Sequence, residues 1–280
     1  MVVARSTRTL WVMDVRVAVV GVGAMGEAII RGLLGSTWQP SAVSGLVRRP
    51  EQAEDLRDRL GVEASTDPGD VIPGRDVIVV SVKPKDVSGV LGRIAPHLDP
   101  DSIILSVAAG VTIETLETAL PGMAVVRAMP NTPSIVGEGV TGVALGEHVT
   151  ELKRSHAIAV LGAVGEVTVL EESVLDAVTA VSGTGPAYVF LLAEALIEAG
   201  IREGMSRRVA ELFVHQTIRG AGHLLTETGI GAPGLRSQVT SPGGTTAAAV
   251  HVLEERGFRA LVEDAVRAAA KRSRELGSGV

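Results

Sequence analysis

Cysteine is absent from this chain, which excludes disulfides, thiolate nucleophiles and zinc–thiolate sites together. Aromatic side chains are almost as scarce: two tryptophans, one tyrosine and three phenylalanines. Proteins that read single-stranded nucleic acid stack bases on aromatic platforms, so no nucleic-acid partner is expected. An excess of positive charge is missing too, since the formal charge is −6 and phosphate backbones attract the opposite sign. Six histidines are scattered without a paired spacing of the HxxxH kind, and no metal site is expected. The longest late apolar run, Ala187 to Ile201, carries Glu194 and Glu198; it reads as falling short of a membrane span, and no membrane partner is expected.

What remains is a composition with 46% hydrophobic and 21% charged residues, ordinary for a soluble globular protein. At 280 residues the chain exceeds the size at which one core usually stops growing, so two domains are expected. The first twenty residues hold Arg5, Arg8 and an apolar tract that resembles a secretory signal. Asp14 and Arg16 interrupt that tract, and Val15 to Val20 runs into a glycine loop as a buried strand does. The reading is a cytoplasmic protein with a tail over residues 1–13, whose first twelve are dispensable, and Met13 as a candidate functional start.

From Val15 to about Glu172 short β-rich runs alternate with helical patterns. Strands are expected near Val15–Val20, Ala42–Val47, Val77–Val82, Ile103–Ser106 and Val125–Ala128, with later edge strands at Val140–Leu145 and Val167–Leu170. Helices such as Ala24–Leu34 and Glu51–Leu60 fall between them. Continuous Val/Ile runs such as Val77-Ile-Val-Val80 mark strands buried on both faces. The fold class is therefore α/β followed by all-α: a Rossmann-like, doubly wound parallel sheet over residues 14–172, then a helical domain over 173–280. The expected late helices are Ser173–Val181, Pro186–Arg202, Ser206–Glu227, Gly244–Glu255 and Phe258–Leu276. Their Ala/Leu/Val content spreads over more than one face, which points to a homo-oligomer of intertwined helices; burial of these faces against each other within one chain is the alternative.

Gly21-Val22-Gly23-Ala24-Met25-Gly26 follows a strand and opens a helix, the context in which a GxGxxG pattern binds a dinucleotide. The first glycine permits the turn, the second admits the pyrophosphate, and the third lets helix and sheet pack closely. An NAD site would place an acidic residue at the end of the second strand, whereas this chain has Arg48 and Arg49. Guanidiniums there favour a 2′-phosphate, so NADPH is preferred and NADH is the alternative; two solvated surface charges are the plainer reading. Val82, Lys83 and Pro84 close the Val77 strand at the edge where ligands of open α/β sheets lie. Ser106-Val-Ala108-Ala109-Gly110 offers small side chains that leave room for a flat nicotinamide. In Arg127-Ala-Met-Pro-Asn131-Thr-Pro133, the stiffly held Asn131 is a candidate either to bond the cofactor or to order the crevice wall.

Near the other end, Thr240-Ser241-Pro242-Gly243-Gly244-Thr245-Thr246 forms a tight turn before a helix. Amides at such a start have no intrahelical partner and suit a small carboxylate; ordinary capping by Ser and Thr is the bland alternative. Another glycine-rich approach, Thr179-Ala-Val-Ser-Gly-Thr-Gly-Pro-Ala-Tyr188, opens a long helix. Tyr188, the only tyrosine, reads as a packing residue.

In this order, GVGAMG, VKP, AAGV, RAMPNTP, the Thr179–Tyr188 segment and TSPGGTT resemble the pyrroline-5-carboxylate reductases, from Val15 to Leu276. TSPGGTT is the specific part. Thr184 stands where that family usually has serine, and Arg48 follows a valine where asparagine is common. The resemblance implies NAD(P)H-dependent reduction of 1-pyrroline-5-carboxylate to L-proline, the last step of proline biosynthesis. It implies a homodimer in which the cofactor domain of one subunit faces helices of its partner, with a larger assembly such as a decamer as an open extension. On this reading the amides of Gly244 and Thr245, in the turn bent by Gly243 and assisted by Ser241, take the substrate carboxylate. Thr246, whose family counterpart carries this role, holds the ring nitrogen as the catalytic hydroxyl. The alternatives are another NADP-dependent imine or β-hydroxyacid reductase and a non-catalytic NADP-binding protein. Hydroxyacid enzymes commonly use a lysine on a glycine-flanked helix, and residues 183–200 contain none.

Overall fold

The computed structural model describes residues 15–277; the expected tail and the start at Met13 lie outside the described residues. One eight-stranded sheet is ordered β3-β2-β1-β4-β5-β6-β7-β8. Its strands are β1 (Val17–Val20), β2 (Val43–Leu46), β3 (Glu63–Ser65), β4 (Val77–Val80), β5 (Ile103–Ser106), β6 (Ala124–Met129), β7 (Gly139–Leu145) and β8 (Gly165–Val169). The first six run parallel. Strand β7 turns antiparallel to β6, and β8 runs parallel to β7. Among them lie α1 (Ala24–Leu34), α2 (Pro50–Leu60), α3 (Pro68–Val71), α4 (Val87–Ile94), α5 (Ile113–Ala119) and α6 (Glu151–Gly162).

The unbroken apolar runs follow from burial on both faces. Val77 to Val80 are all 0% exposed, yet alternate residues serve different cores: Val77 and Val79 join one apolar cluster, Ile78 and Val80 the other. This is period-two geometry under helices on both sides. The order reverses between β1 and β4, so the strand ends at that point open a crevice. Strand β3 was not expected. It has three residues, of which only Ala64 is buried, too little apolar signal to stand out.

The expected helix over 173–181 is instead a sequence of three pieces: a short 3-10 turn, α7 (Leu175–Val178) and a π turn over Thr179–Gly183. Then come α8 (Gly185–Arg202), α9 (Arg207–Glu227), α10 (Ala232–Gln238), α11 (Thr245–Glu255) and α12 (Phe258–Gly277). Helix α10 was also unforeseen. By internal packing the chain divides after Gly183: one unit reaches to that glycine and takes back the chain from Ala270, and the other holds Thr184–Ala269. The returning end of α12 is pinned in the first unit, where the Ser273 hydroxyl bonds Asp176 Oδ1 at 2.6 Å.

The second unit buries little of its apolar surface. Phe190, Leu191, Leu212, Phe213 and Leu261 are each more than 60% exposed. The helical stretch Glu172–Arg202 has a mean hydropathy of 1.4 and is, by length and composition, apolar enough to cross a membrane. Glu194 and Glu198 therefore do not take it below that threshold.

Candidate functional site

The crevice at the reversal point is a cleft of about 520 Å³. Gly21 ends β1 with φ +86, a left-handed conformation costly for any other residue, and a side chain there would run into Val82 Cγ1. Gly26 is required by packing, since a Cβ would lie 2.8 Å from the Gly21 carbonyl oxygen. Gly23 differs: its added Cβ would meet nothing within 4 Å. No contact inside the protein demands glycine there, and its bare α-carbon faces the cleft. Gly23 is also the N-cap of α1, without a side-chain cap, and the amides of Ala24, Met25 and Gly26 have no partner among the described residues. Together they form an anion cradle with room for a backbone-hugging pyrophosphate.

Of the predicted cofactor residues, Gly21 to Met25, Arg48, Val82, Lys83, Pro84, Ala108 and Ala109 line this one cleft. Gly26 lies buried just beneath. Arg49 is outside the lining: it caps α2, its carbonyl accepting from the Gln52 amide at 3.1 Å. Asn131 is also outside it. Only 9% exposed, it accepts from the Val140 amide at 3.0 Å and donates to the Ser182 hydroxyl at 3.2 Å. Its amide is thus committed to joining the post-β6 loop to β7 and the π turn, which orders the wall. Thr132 and Ile135 of that loop line the cleft, as do Val47, Gln52, Ser81 and Val107; none of these was singled out from sequence. Ser81 and Val107 directly follow β4 and β5, so strand ends alone could have flagged them.

Charge around the cleft is arranged in pairs. Arg48 Nη2 donates to Asp86 Oδ2 at 2.5 Å. Glu27, in the first turn of α1, would set a negative charge beside the cradle, but Arg59 of α2 grips it at 2.9 Å and Arg31 at 2.8 Å. The Arg59 hydrogen bond, helped by Arg31, holds the Glu27 carboxyl below its usual range. Farther along the sheet, buried Arg127 bonds Glu172 at 2.8 Å, and the same carboxylate oxygen accepts from the Ile113 amide at the start of α5. Arg127 is thereby a brace for β6.

In the second unit, Ser241-Pro242-Gly243-Gly244 forms a tight turn closed by the Gly244 amide on the Ser241 carbonyl at 3.1 Å. Proline second and glycine third, the latter at φ +69, is the pattern such a turn requires. This changes one expectation: the Gly244 N–H is consumed by the turn. Gly244 instead caps α11, with no side-chain cap, and the amides of Thr245, Thr246 and Ala247 have no partner among the described residues. A Cβ on Gly244 would collide with Ser241 Oγ, so the bare glycine lets that hydroxyl sit beside the helix start. Thr246 is half-buried at the second helical position, and Tyr188 is half-buried on α8.

Residues 172–276 match the family described as pyrroline-5-carboxylate reductase dimerisation. Residues 16–110 match a second description, NADP oxidoreductase, coenzyme F420-dependent. The pyrroline-5-carboxylate reductase of Corynebacterium melassecola is 41% identical over 265 residues, covering 93% of this chain and 98% of that protein. The chain belongs to the pyrroline-5-carboxylate reductase family. That of Mycobacterium tuberculosis is 41% identical, with 93% and 96% covered. Among solved structures, the Coxiella burnetii pyrroline-5-carboxylate reductase superposes with a TM-score of 0.89 at 35% identity, covering 94% and 98%. The Plasmodium falciparum pyrroline carboxylate reductase, solved with NADP bound, does so at 0.84 and 29%, again with 94% and 98% covered. As a member of this reductase family the chain is a nicotinamide-dependent oxidoreductase, and its bare second-unit helices belong to a dimerisation domain.

Proposed function

We propose that the chain reduces 1-pyrroline-5-carboxylate to L-proline, the closing step of proline biosynthesis, as a cytoplasmic homodimer that prefers NADPH and accepts NADH. The observation that carries this reading is the start of α11: a Ser-Pro-Gly-Gly turn delivering three unpartnered amides and two threonine hydroxyls inside the region that matches the family's dimerisation domain. A carboxylate gains hydrogen bonds and a favourable dipole there, the latter worth about 0.3–1 kcal/mol and up to ~2 where water is excluded. The Thr245 amide, with the Thr246 amide beside it and the Ser241 hydroxyl in support, takes the carboxylate. Gly243 and Gly244 shape the turn that exposes them.

A protonated C=N bond is already electrophilic, so this reaction needs alignment more than activation. A reduced nicotinamide, which Gly21 to Met25, Arg48, Ala108 and Ala109 would hold in the cleft they line, would supply the hydride for the imine carbon, the C=N π electrons going to nitrogen. The Thr246 hydroxyl holds that nitrogen and its proton. Ala108 and Ala109 leave space for a flat ring, and Gly21 to Gly26 anchor the pyrophosphate. Alignment of this kind is worth about 7–11 kcal/mol, which fits a site without a nucleophile or an acid–base cluster.

Arg48 at the end of β2 supports the NADPH preference, because a guanidinium suits a 2′-phosphate. The apolar faces of α8, α9 and α12 support pairing with a second copy in place of a lipid environment. The test is NADPH oxidation with 1-pyrroline-5-carboxylate against acyclic 2-keto acids, in wild type and Thr246→Ala. The variant should lose about 10²-fold in kcat with its Tm unchanged; undiminished turnover removes Thr246 from the chemistry.

A further inference from the structure

Arg48 and Asp86 approach the cleft from opposite lips. Arg48 lies two residues beyond the end of β2, and Asp86 closes the 3-10 turn Pro84–Asp86 that follows β4. Both strands flank β1. With neighbouring strands about 4.8 Å apart, the pair ties together the segments that leave β2 and β4, roughly two strand spacings apart on either side of β1. The contact uses Nη2 of the guanidinium, the nitrogen common to both of its two-donor edges, Nε–Nη2 and Nη1–Nη2, so a second anion cannot be held through two donors while Asp86 keeps that nitrogen. The Asp86 side chain is 28% exposed and that of Arg48 is 66% exposed. Lys83 also lines the cleft and has no ion pair among the described residues. Asp86 is thus the carboxylate set against the one guanidinium that lines the cleft.

We propose that Asp86 sets the cofactor selectivity of this cleft, acting as a built-in anion that competes with a dinucleotide's 2′-phosphate for Arg48. The proposal rests on the reading of Arg48 as the 2′-phosphate ligand. A 2′-phosphate must draw Arg48 away from Asp86, or share it while standing close to a like charge; a free 2′-hydroxyl meets neither cost. Asp86 therefore penalises NADPH and leaves NADH untouched, so both cofactors remain usable. Asp86 is the N-cap of α4 but makes no side-chain capping hydrogen bond; the partner described for its carboxylate is Arg48.

The experiment measures Kd and KM for NADPH and NADH in the full-length protein and in Asp86→Asn, Arg48→Ala and the double variant, with Tm as a check on folding. Asp86→Asn should tighten NADPH about three- to tenfold, leave NADH within about twofold, and show a smaller gain at high salt, where exposed charges are screened. In the Arg48→Ala background the same substitution should do nothing. If Arg48→Ala weakens both cofactors equally, the 2′-phosphate reading itself is wrong. Selective NADPH loss in Arg48→Ala, combined with unchanged or weaker NADPH binding in Asp86→Asn, would instead overturn the role of Asp86 alone and make it an orienting partner.

Discussion

The three glycines of the cofactor loop should respond to alanine in opposite ways, because the structure gives each a different reason to be glycine. Gly23 has allowed backbone angles, φ −96 and ψ −160, and no neighbour within 4 Å of an added Cβ. Gly23→Ala should gain about 0.4–1 kcal/mol from a less flexible unfolded chain. It should lose about half a kcal/mol because alanine is the poorer N-cap. The net lies within about 0.5 kcal/mol of zero, a Tm change of one or two degrees at most. Gly26→Ala must push a methyl against the Gly21 carbonyl at 2.8 Å and Val19 at 3.1 Å, an overpacking cost of about 1–3 kcal/mol. Gly21→Ala combines a left-handed residue, about 1–2 kcal/mol, with a clash on Val82. Thermal unfolding should therefore rank Gly23→Ala near wild type and the other two well below it. Cofactor titration should show Gly23→Ala weakened at least tenfold, since the methyl occupies the space into which the pyrophosphate must come. A Gly23→Ala protein that binds NADPH normally, or unfolds as readily as Gly26→Ala, would refute the division of labour.

Two further outcomes follow from the same geometry. Leu191→Asp with Phe213→Asp, at positions 66% and 61% exposed in the single chain, should convert the protein to monomers by light scattering and abolish turnover; a monodisperse dimer would show that these faces are not the contact. Glu27 has its carboxyl pKa depressed by Arg59 and then Arg31, so its contribution to stability is full above its unfolded pKa and disappears as pH falls through the lower folded value. Glu27→Gln should accordingly lower Tm at pH 7, with the deficit shrinking as pH falls below the ordinary carboxylate range, and parallel Tm curves from neutral to acid pH would contradict the pairing.

How much of this was legible in the sequence depended on how local the cause was. Strands buried on both faces betray themselves by unbroken Val/Ile runs, and α1 follows from a glycine loop running into an apolar period. Strand β3 pairs at the sheet margin through its backbone, which leaves almost no side-chain record. Helix α10 is framed by Gly229, Gly231, Pro233 and Gly234, residues that read as loop; yet proline in the first turn of a helix loses nothing, because its missing N–H would be unpaired there anyway. The Gly244 amide is more instructive. Counting free donors at a helix start suggested it for the substrate carboxylate, while the Pro-Gly pair just before it already demanded a turn whose closing hydrogen bond uses that same N–H. Both rules were readable, and the turn prevails because its geometry is fixed in the free protein. Asp86 lies at the other extreme. It is 38 positions from Arg48, and nothing near either residue announces the other; the topology brings them together by placing β2 and β4 on either side of β1. Selectivity read from Arg48 alone counts the attraction for a 2′-phosphate and omits the anion already bound to it, so the sign of the charge at a strand end is informative only once its neighbour across the switch point is known.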